Sequence, residues 1–133
     1  MAAAPTRRSE LAHFEHKLRA RSSELRGEIR DTLLRADSEQ YARLAGEVHD
    51  VEDQSLADLL VDINLAEITR DVGELRDVEA ALERIHSGTY GTCMRCNGVI
   101  DRKRLEIHPT AKRCLPCQVE HDRLRAVSVP PSL

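Results

Sequence analysis

No proline occurs between Pro5 and Pro109, and this one absence does most to limit what the chain can fold into. Proline breaks helices by removing a donor and clashing with the preceding turn. A stretch from Thr6 to His108 without it leaves room for helices far longer than those of a rounded domain. The apolar residues in that stretch recur at helical spacing. One series runs Leu11, Phe14, Leu18, Leu25, Ile29, Leu33; a second runs Leu56, Leu60, Ile63, Ile68, Val72, Leu75, Val78, Leu82, Ile85. Charged residues fill the intervals, as a two-helix seam requires.

Punctuation divides the stretch into two arms. Gly46 can end the first helix in a left-handed cap, and Asp50 or Asp53 can cap the second. Ser87-Gly88 stops the second helix just before the first cysteine pair. Arms that pack antiparallel must match in length, which brings the first helix back to about His13. Each arm is then roughly 50 Å long at 1.5 Å per residue. Asp37-Ser38 could interrupt the first arm; a continuous helix is the expectation. With only Phe14, Tyr41 and Tyr90 as aromatic residues, a rounded β or α/β core is disfavoured.

Charge is polarised along the chain. Net values for residues 1–35, 36–55, 56–88 and 89–133 are +3, −5, −5 and +4, giving −3 for the chain. The middle of the hairpin is acidic and the cysteine-containing end basic. No apolar run suits a membrane span and no secretory signal core is present, so the expectation is a cytoplasmic protein with no membrane partner.

Cys93-Met94-Arg95-Cys96 and Cys114-Leu115-Pro116-Cys117 form two C-x₂-C knuckles separated by 17 residues. Each knuckle turns two sulfurs inward, and two knuckles close a tetrahedron around Zn²⁺. Arg95, Lys112 and Arg113 favour thiolates. A closed four-thiolate shell leaves no position for a catalytic water, so the one zinc ion expected is structural. A redox dithiol and a rubredoxin-type iron site are the alternatives; tandem pairs without a βαβ pattern speak against the first. His108 and His121 are expected at the surface rather than on the metal.

The run Ala81-Leu82-Glu83-Arg84-Ile85, Gly88-Thr89-Tyr90-Gly91-Thr92-Cys93-Met94-Arg95-Cys96, Ile100, Arg104-Leu105-Glu106, Pro109-Thr110-Ala111 and Cys114-Leu115-Pro116-Cys117-Gln118 resembles the zinc-finger region of the DksA/TraR family. The resemblance implies a bacterial transcription regulator, not an enzyme, that binds RNA polymerase itself and inserts a coiled-coil hairpin into the secondary channel. The family hairpin tip carries Asp-x-x-Asp-x-Ala at a fixed distance before the first zinc cysteine. Forty residues before Cys93 stands Asp53, and Asp50-Val51-Glu52-Asp53-Gln54-Ser55 keeps both aspartates, with Ser55 for the alanine. Arg70 matches a basic family position facing the polymerase rim. Asn97 replaces the glycine that follows the first knuckle, a change that asparagine's tolerance of left-handed backbone accommodates. The alarmone ppGpp uses basic family positions that here are Asp77, His108 and Gln118, with Glu74 at a neighbouring contact. Dependence on ppGpp is therefore expected to be slight.

These readings give a mainly α fold: a long antiparallel two-helix coiled-coil hairpin with a small four-cysteine zinc finger and a short C-terminal helix. The hairpin is expected over 9–88 with its acidic tip near 47–55, the finger and C-terminal helix over 89–126, and flexible tails at 1–8 and 127–133. The chain is expected to be a monomer that recognises no specific DNA sequence. A zinc-ribbon nucleic-acid binder is the competing reading, with Arg95, Arg102, Lys103, Arg104, Lys112 and Arg113 as its phosphate-contacting face. The acidic hairpin opposes it, because duplex DNA would be repelled along most of the molecule. No Gly-rich phosphate loop, Ser/His/Asp grouping or H-E-x-x-H helix supports an enzyme.

Overall fold

The computed structural model describes residues 8–46 and 51–128, with side chains at 8–39 and 58–127. Two long helices lead, α1 over Arg8–Gly46 and α2 over Val51–Ser87. Two short ones follow, α3 over Arg102–Ile107 and α4 over Leu115–Ser128. Among the described residues the only β pairing is an isolated bridge between Thr92 and Val99. The mainly α architecture is as the sequence implies. Asp37-Ser38 does not break α1, because both side chains lie exposed and neither has to enter the seam. Among the described residues no helix is long and apolar enough to cross a membrane.

The chain forms two compact units. Among the described residues, one joins 8–19 with 78–128; the other is Ala20–Asp77.

The first unit has an apolar core. Phe14 and Leu18 of α1, Val78 and Ala81 of α2, and Tyr90, Ile100 and Leu105 from the cysteine-rich region supply it. All seven are buried. At full burial an aliphatic or aromatic side chain contributes about 1.5–3 kcal/mol, so this small set is what holds the finger against the helices. Gly88, at φ +80°, ends α2, and the Thr89 and Tyr90 N–H groups both donate to the Arg84 carbonyl at 2.9 and 3.1 Å. Those bonds satisfy carbonyl valence left open at a helix C-terminus. Asp101 caps α3, its carboxylate accepting from the Lys103 N–H at 3.2 Å. Polar ties fasten α3 to α1: Lys17 donates to the Glu106 carbonyl at 2.8 Å, and Arg102 meets Glu10 at 3.0 Å.

In the second unit α1 and α2 run antiparallel. Arg21 pairs with Glu74, Arg35 with Glu67, and Glu39 with Asn64, so partners descend α2 as they climb α1. Here the seam departs from the apolar stripes. Leu33 and Ile63, expected inside, are 52% and 45% exposed. Thr32, Asn64 and Asp71 are buried instead, alongside Leu25. The apolar residues of α2 span more than one side of the helix, and periodicity alone does not say which side faces α1.

Candidate metal centre

Local backbone geometry builds the first knuckle. The Cys93 N–H donates to the Gly98 carbonyl at 2.8 Å and the Asn97 N–H to the Cys93 carbonyl at 3.0 Å. Asn97 takes φ +58°, the left-handed conformation that asparagine tolerates better than most residues. The Gly98 N–H points at the Cys96 sulfur from 3.4 Å, and a Cβ at position 98 would lie 3.1 Å from that sulfur. Glycine is needed there for close approach. The Met94 N–H donates to the Lys112 carbonyl at 2.9 Å, which brings the second knuckle alongside the first. Cys114 precedes α4 and Cys117 lies in its first turn.

The four sulfurs of Cys93, Cys96, Cys114 and Cys117 all lie within 4.8 Å of one another. Cys96 and Cys114 are 3.9 Å apart. A regular tetrahedron with Zn–S bonds of about 2.3 Å has sulfur–sulfur edges of roughly 3.8 Å. The cluster thus has the size of a zinc–tetrathiolate shell, and no disulfide joins its members.

The thiol chemistry agrees. Burial disfavours the Cys93 thiolate, yet backbone N–H groups of Cys96, Cys114 and Arg95 aim at its sulfur and bring its pKa down to about 6. Cys117 is pushed up to about 12, first by hydrogen bonding to the Cys114 sulfur, then by desolvation and by Cys93 and Cys96. One sulfur is prepared to ionise while a neighbour is made to keep its proton. Four adjacent thiolates need a cation between them, and a divalent ion with a preference for sulfur supplies it. His108 is exposed and caps α3, and neither it nor His121 belongs to the cluster.

Other expected functional residues are placed as follows. Asp50 lies outside the described residues. Asp53 and Ser55 lie on α2, in a segment whose side chains are likewise outside the description. Arg70 is on α2 with a side chain 75% exposed, its Nε 3.8 Å from Asp71. Glu74 is held by Arg21 through bonds of 2.5 and 2.8 Å, and this contact keeps its carboxyl below the usual range. Gln118 spends its amide on Asp122 at 2.9 Å. Of the basic set considered for nucleic acid, Arg102 faces Glu10 and Arg104 donates to the Arg113 carbonyl at 3.1 Å.

Residues 88–126 match the prokaryotic dksA/traR C4-type zinc finger. The chain is also 30% identical, over 89% of its length and 80% of the relative's, to the RNA polymerase-binding transcription factor DksA of Caulobacter vibrioides (strain NA1000 / CB15N). The chain belongs to the DksA/TraR family. The factor of the same name from Escherichia coli (strain K12) is 27% identical over 83% of this chain and 70% of that protein. The solved structure of transcription factor DksA2 from Pseudomonas aeruginosa shares the fold. Its TM-score is 0.78 at 21% identity, covering 91% of this chain and 89% of that one. The four-cysteine site is therefore that of a DksA/TraR zinc finger, fitted for one structural zinc ion. The relatives from Caulobacter vibrioides and Escherichia coli are named as transcription factors, not as enzymes.

Sequence reasoning did not find α3 or its ties to α1. Lys17, Glu10, Glu106 and Arg102 look like ordinary surface charges until the finger folds against the helices. The signal present was Asp101 ahead of Arg102-Lys103-Arg104-Leu105, a capping residue before a short helical run.

Proposed function

We propose that this protein is a transcription regulator that binds bacterial RNA polymerase directly, inserting the hairpin formed by α1 and α2 into the secondary channel. The observation that carries the reading is the 30% identity to a polymerase-binding DksA across 80% of that protein, a span that includes hairpin and finger alike. Asp50, Asp53 and Ser55 act at the tip, close to the polymerase active centre, and Arg70 contacts the polymerase rim. The wide exposure of Arg70 and its long 3.8 Å approach to Asp71 leave its guanidinium accessible for that contact.

Regulation is largely independent of ppGpp bound at the protein–polymerase interface. A polyphosphate site needs converging cations, because each phosphate exchanges its water shell for charge-assisted hydrogen bonds. The positions concerned hold Glu74, Asp77, His108 and Gln118. Arg21 mutes the charge of Glu74 but is itself consumed in doing so, and the Gln118 amide is committed to Asp122. The nucleic-acid reading is weaker, since Arg102 and Arg104 are engaged within the protein. Co-purification of core RNA polymerase with the tagged protein tests the proposal. Recovery of stoichiometric polymerase is expected; steeply salt-dependent binding to random DNA without polymerase would favour the competing reading.

A further inference from the structure

Four residues of the Ala20–Asp77 unit are buried among those described, and three of them are polar: Thr32, Asn64 and Asp71, with Leu25. The same unit leaves Leu33, Leu34, Leu59, Val61, Ile63 and Leu65 between 45% and 60% exposed. A seam that buries polar groups while aliphatic ones face outward is not what burial alone would select.

The sequence offers α2 another choice. Val61, Leu65, Ile68, Val72 and Leu75 follow one another in steps of 4, 3, 4 and 3, an unbroken apolar seam. Its centre lies about 70° round the helix from the line through Asn64 and Asp71, less than the turn of one residue. At present Val61 and Leu65 are exposed, and Ile68, Val72 and Leu75 only half-buried. On α1, Leu25, Ile29 and Leu33 could receive that side of α2.

Something specific must hold the observed phase, and the cross-helix bonds show what. The Asn64 amide donates to Glu39 Oε2 at 2.9 Å, and Arg35 Nη2 approaches its carbonyl oxygen at 3.5 Å. Thr32 has no part in this, because its hydroxyl donates to the Glu28 carbonyl of its own helix at 2.9 Å. Asp71 likewise faces its own neighbour, Arg70, whose Nε lies 3.8 Å from its carboxylate. The pairs Arg21–Glu74 and Arg35–Glu67 suit the same phase but are at least one-third exposed, where ion pairs are weak. No fully enclosed side-chain nitrogen or oxygen among the described residues lacks a partner.

We infer that Asn64 fixes the helical phase of this unit, its amide bond to Glu39 selecting the polar seam over the competing apolar one. A buried asparagine in a coiled coil acts this way by making only one alignment satisfy its hydrogen bonds. The inference goes beyond the polymerase reading and does not depend on it. On that reading it has a consequence: Asp53 stands eleven residues earlier on the same helix whose phase Asn64 sets.

Hydroxyl-radical footprinting of the zinc-loaded full chain, without polymerase, tests this by reading side-chain exposure residue by residue. In Asn64→Ala, labelling of Val61 and Leu65 is expected to fall roughly twofold as their side of α2 turns toward α1. Glu39→Ala removes the same bond from a half-buried position and should give the same pattern. Glu39→Gln keeps an acceptor oxygen and should retain the wild-type pattern, as should Thr32→Val. Wild-type labelling in both alanine variants, whatever their melting temperatures, would overturn the inference. So would a uniform rise along the unit in both, which would mean that the bond holds the helices together rather than choosing their phase.

Discussion

The rings of Phe14 and Tyr90 meet with their centroids 5.6 Å apart and their planes tilted by 46°. Two of the three aromatic residues in the chain are thus spent on one contact, between the start of α1 and the first residues of the finger. Tyr90 also donates its hydroxyl to the Pro109 carbonyl at 2.8 Å, and burial raises its pKa, so it remains a donor at any physiological pH. Phe14→Ala should destabilise the protein by about 3–5 kcal/mol, the usual cost of emptying a packed aromatic site. Tyr90→Phe, which loses only the hydrogen bond, should cost about 1 kcal/mol. Denaturant unfolding of zinc-loaded protein measures both, and equal losses would mean that the ring contact contributes little.

Metal removal should separate finger from helices. Residues 89–118 bury few apolar side chains, chiefly Tyr90, Ile100 and Leu105, and a structural zinc contributes on the order of 10 kcal/mol. Elemental analysis is expected to give one zinc per chain. Chelation should abolish the ordered finger resonances while far-ultraviolet circular dichroism retains much of the helical signal. Iron instead of zinc after growth in zinc-replete medium would contradict the assignment.

The tip can be tested apart from binding. Asp50→Asn combined with Asp53→Asn should leave polymerase affinity nearly unchanged and remove the effect on transcription, if the proposed function holds and the finger and helix flanks carry the binding contacts. A purified transcription assay paired with a binding titration decides. Wild-type regulation by the double variant would remove these aspartates from the regulatory mechanism.

A titration with and without ppGpp examines the alarmone, using a polymerase whose separate ppGpp site is disabled. Potency is expected to stay the same. A several-fold gain would show that cations other than those of the family positions assemble around the ligand.

Acid should loosen α3. His13 first, and then Lys17, hold the Glu106 carboxyl below its ordinary range. A carboxyl depressed on folding adds stability that is fully present above its unfolded pKa of about 4.3 and is lost as pH falls through the lower folded value. Thermal melts of wild type and Glu106→Gln at pH values from 6 down to 3 should therefore converge at the acid end. A constant gap across that range would rule out the carboxylate as the source. The Lys17 bond to the Glu106 carbonyl, at 2.8 Å, survives in the variant and should keep α3 in place at neutral pH.

The sequence by itself determined the features that depend on neighbours along the chain. Two C-x₂-C turns specify a four-sulfur cluster because each closes within a few residues, and Gly98 beside Cys96 shows how local that closure is. The end of α2 at Ser87-Gly88 was legible for the same reason, since a cap is a property of the backbone around it. Only the tertiary structure decided which side of α2 faces α1. Near Val61–Leu65 aliphatic residues flank Asn64 on both sides, so several faces could satisfy a helical period, and burial alone would favour a face other than the one observed. The choice falls to a bond between Asn64 and Glu39, residues 25 apart in sequence. The same holds for Lys17 and Glu106, 89 apart, whose pairing exists only once the finger has folded back against α1. Hydrogen bonds and ion pairs of this kind are short-ranged, and nothing in the periodicity of either partner announces the other.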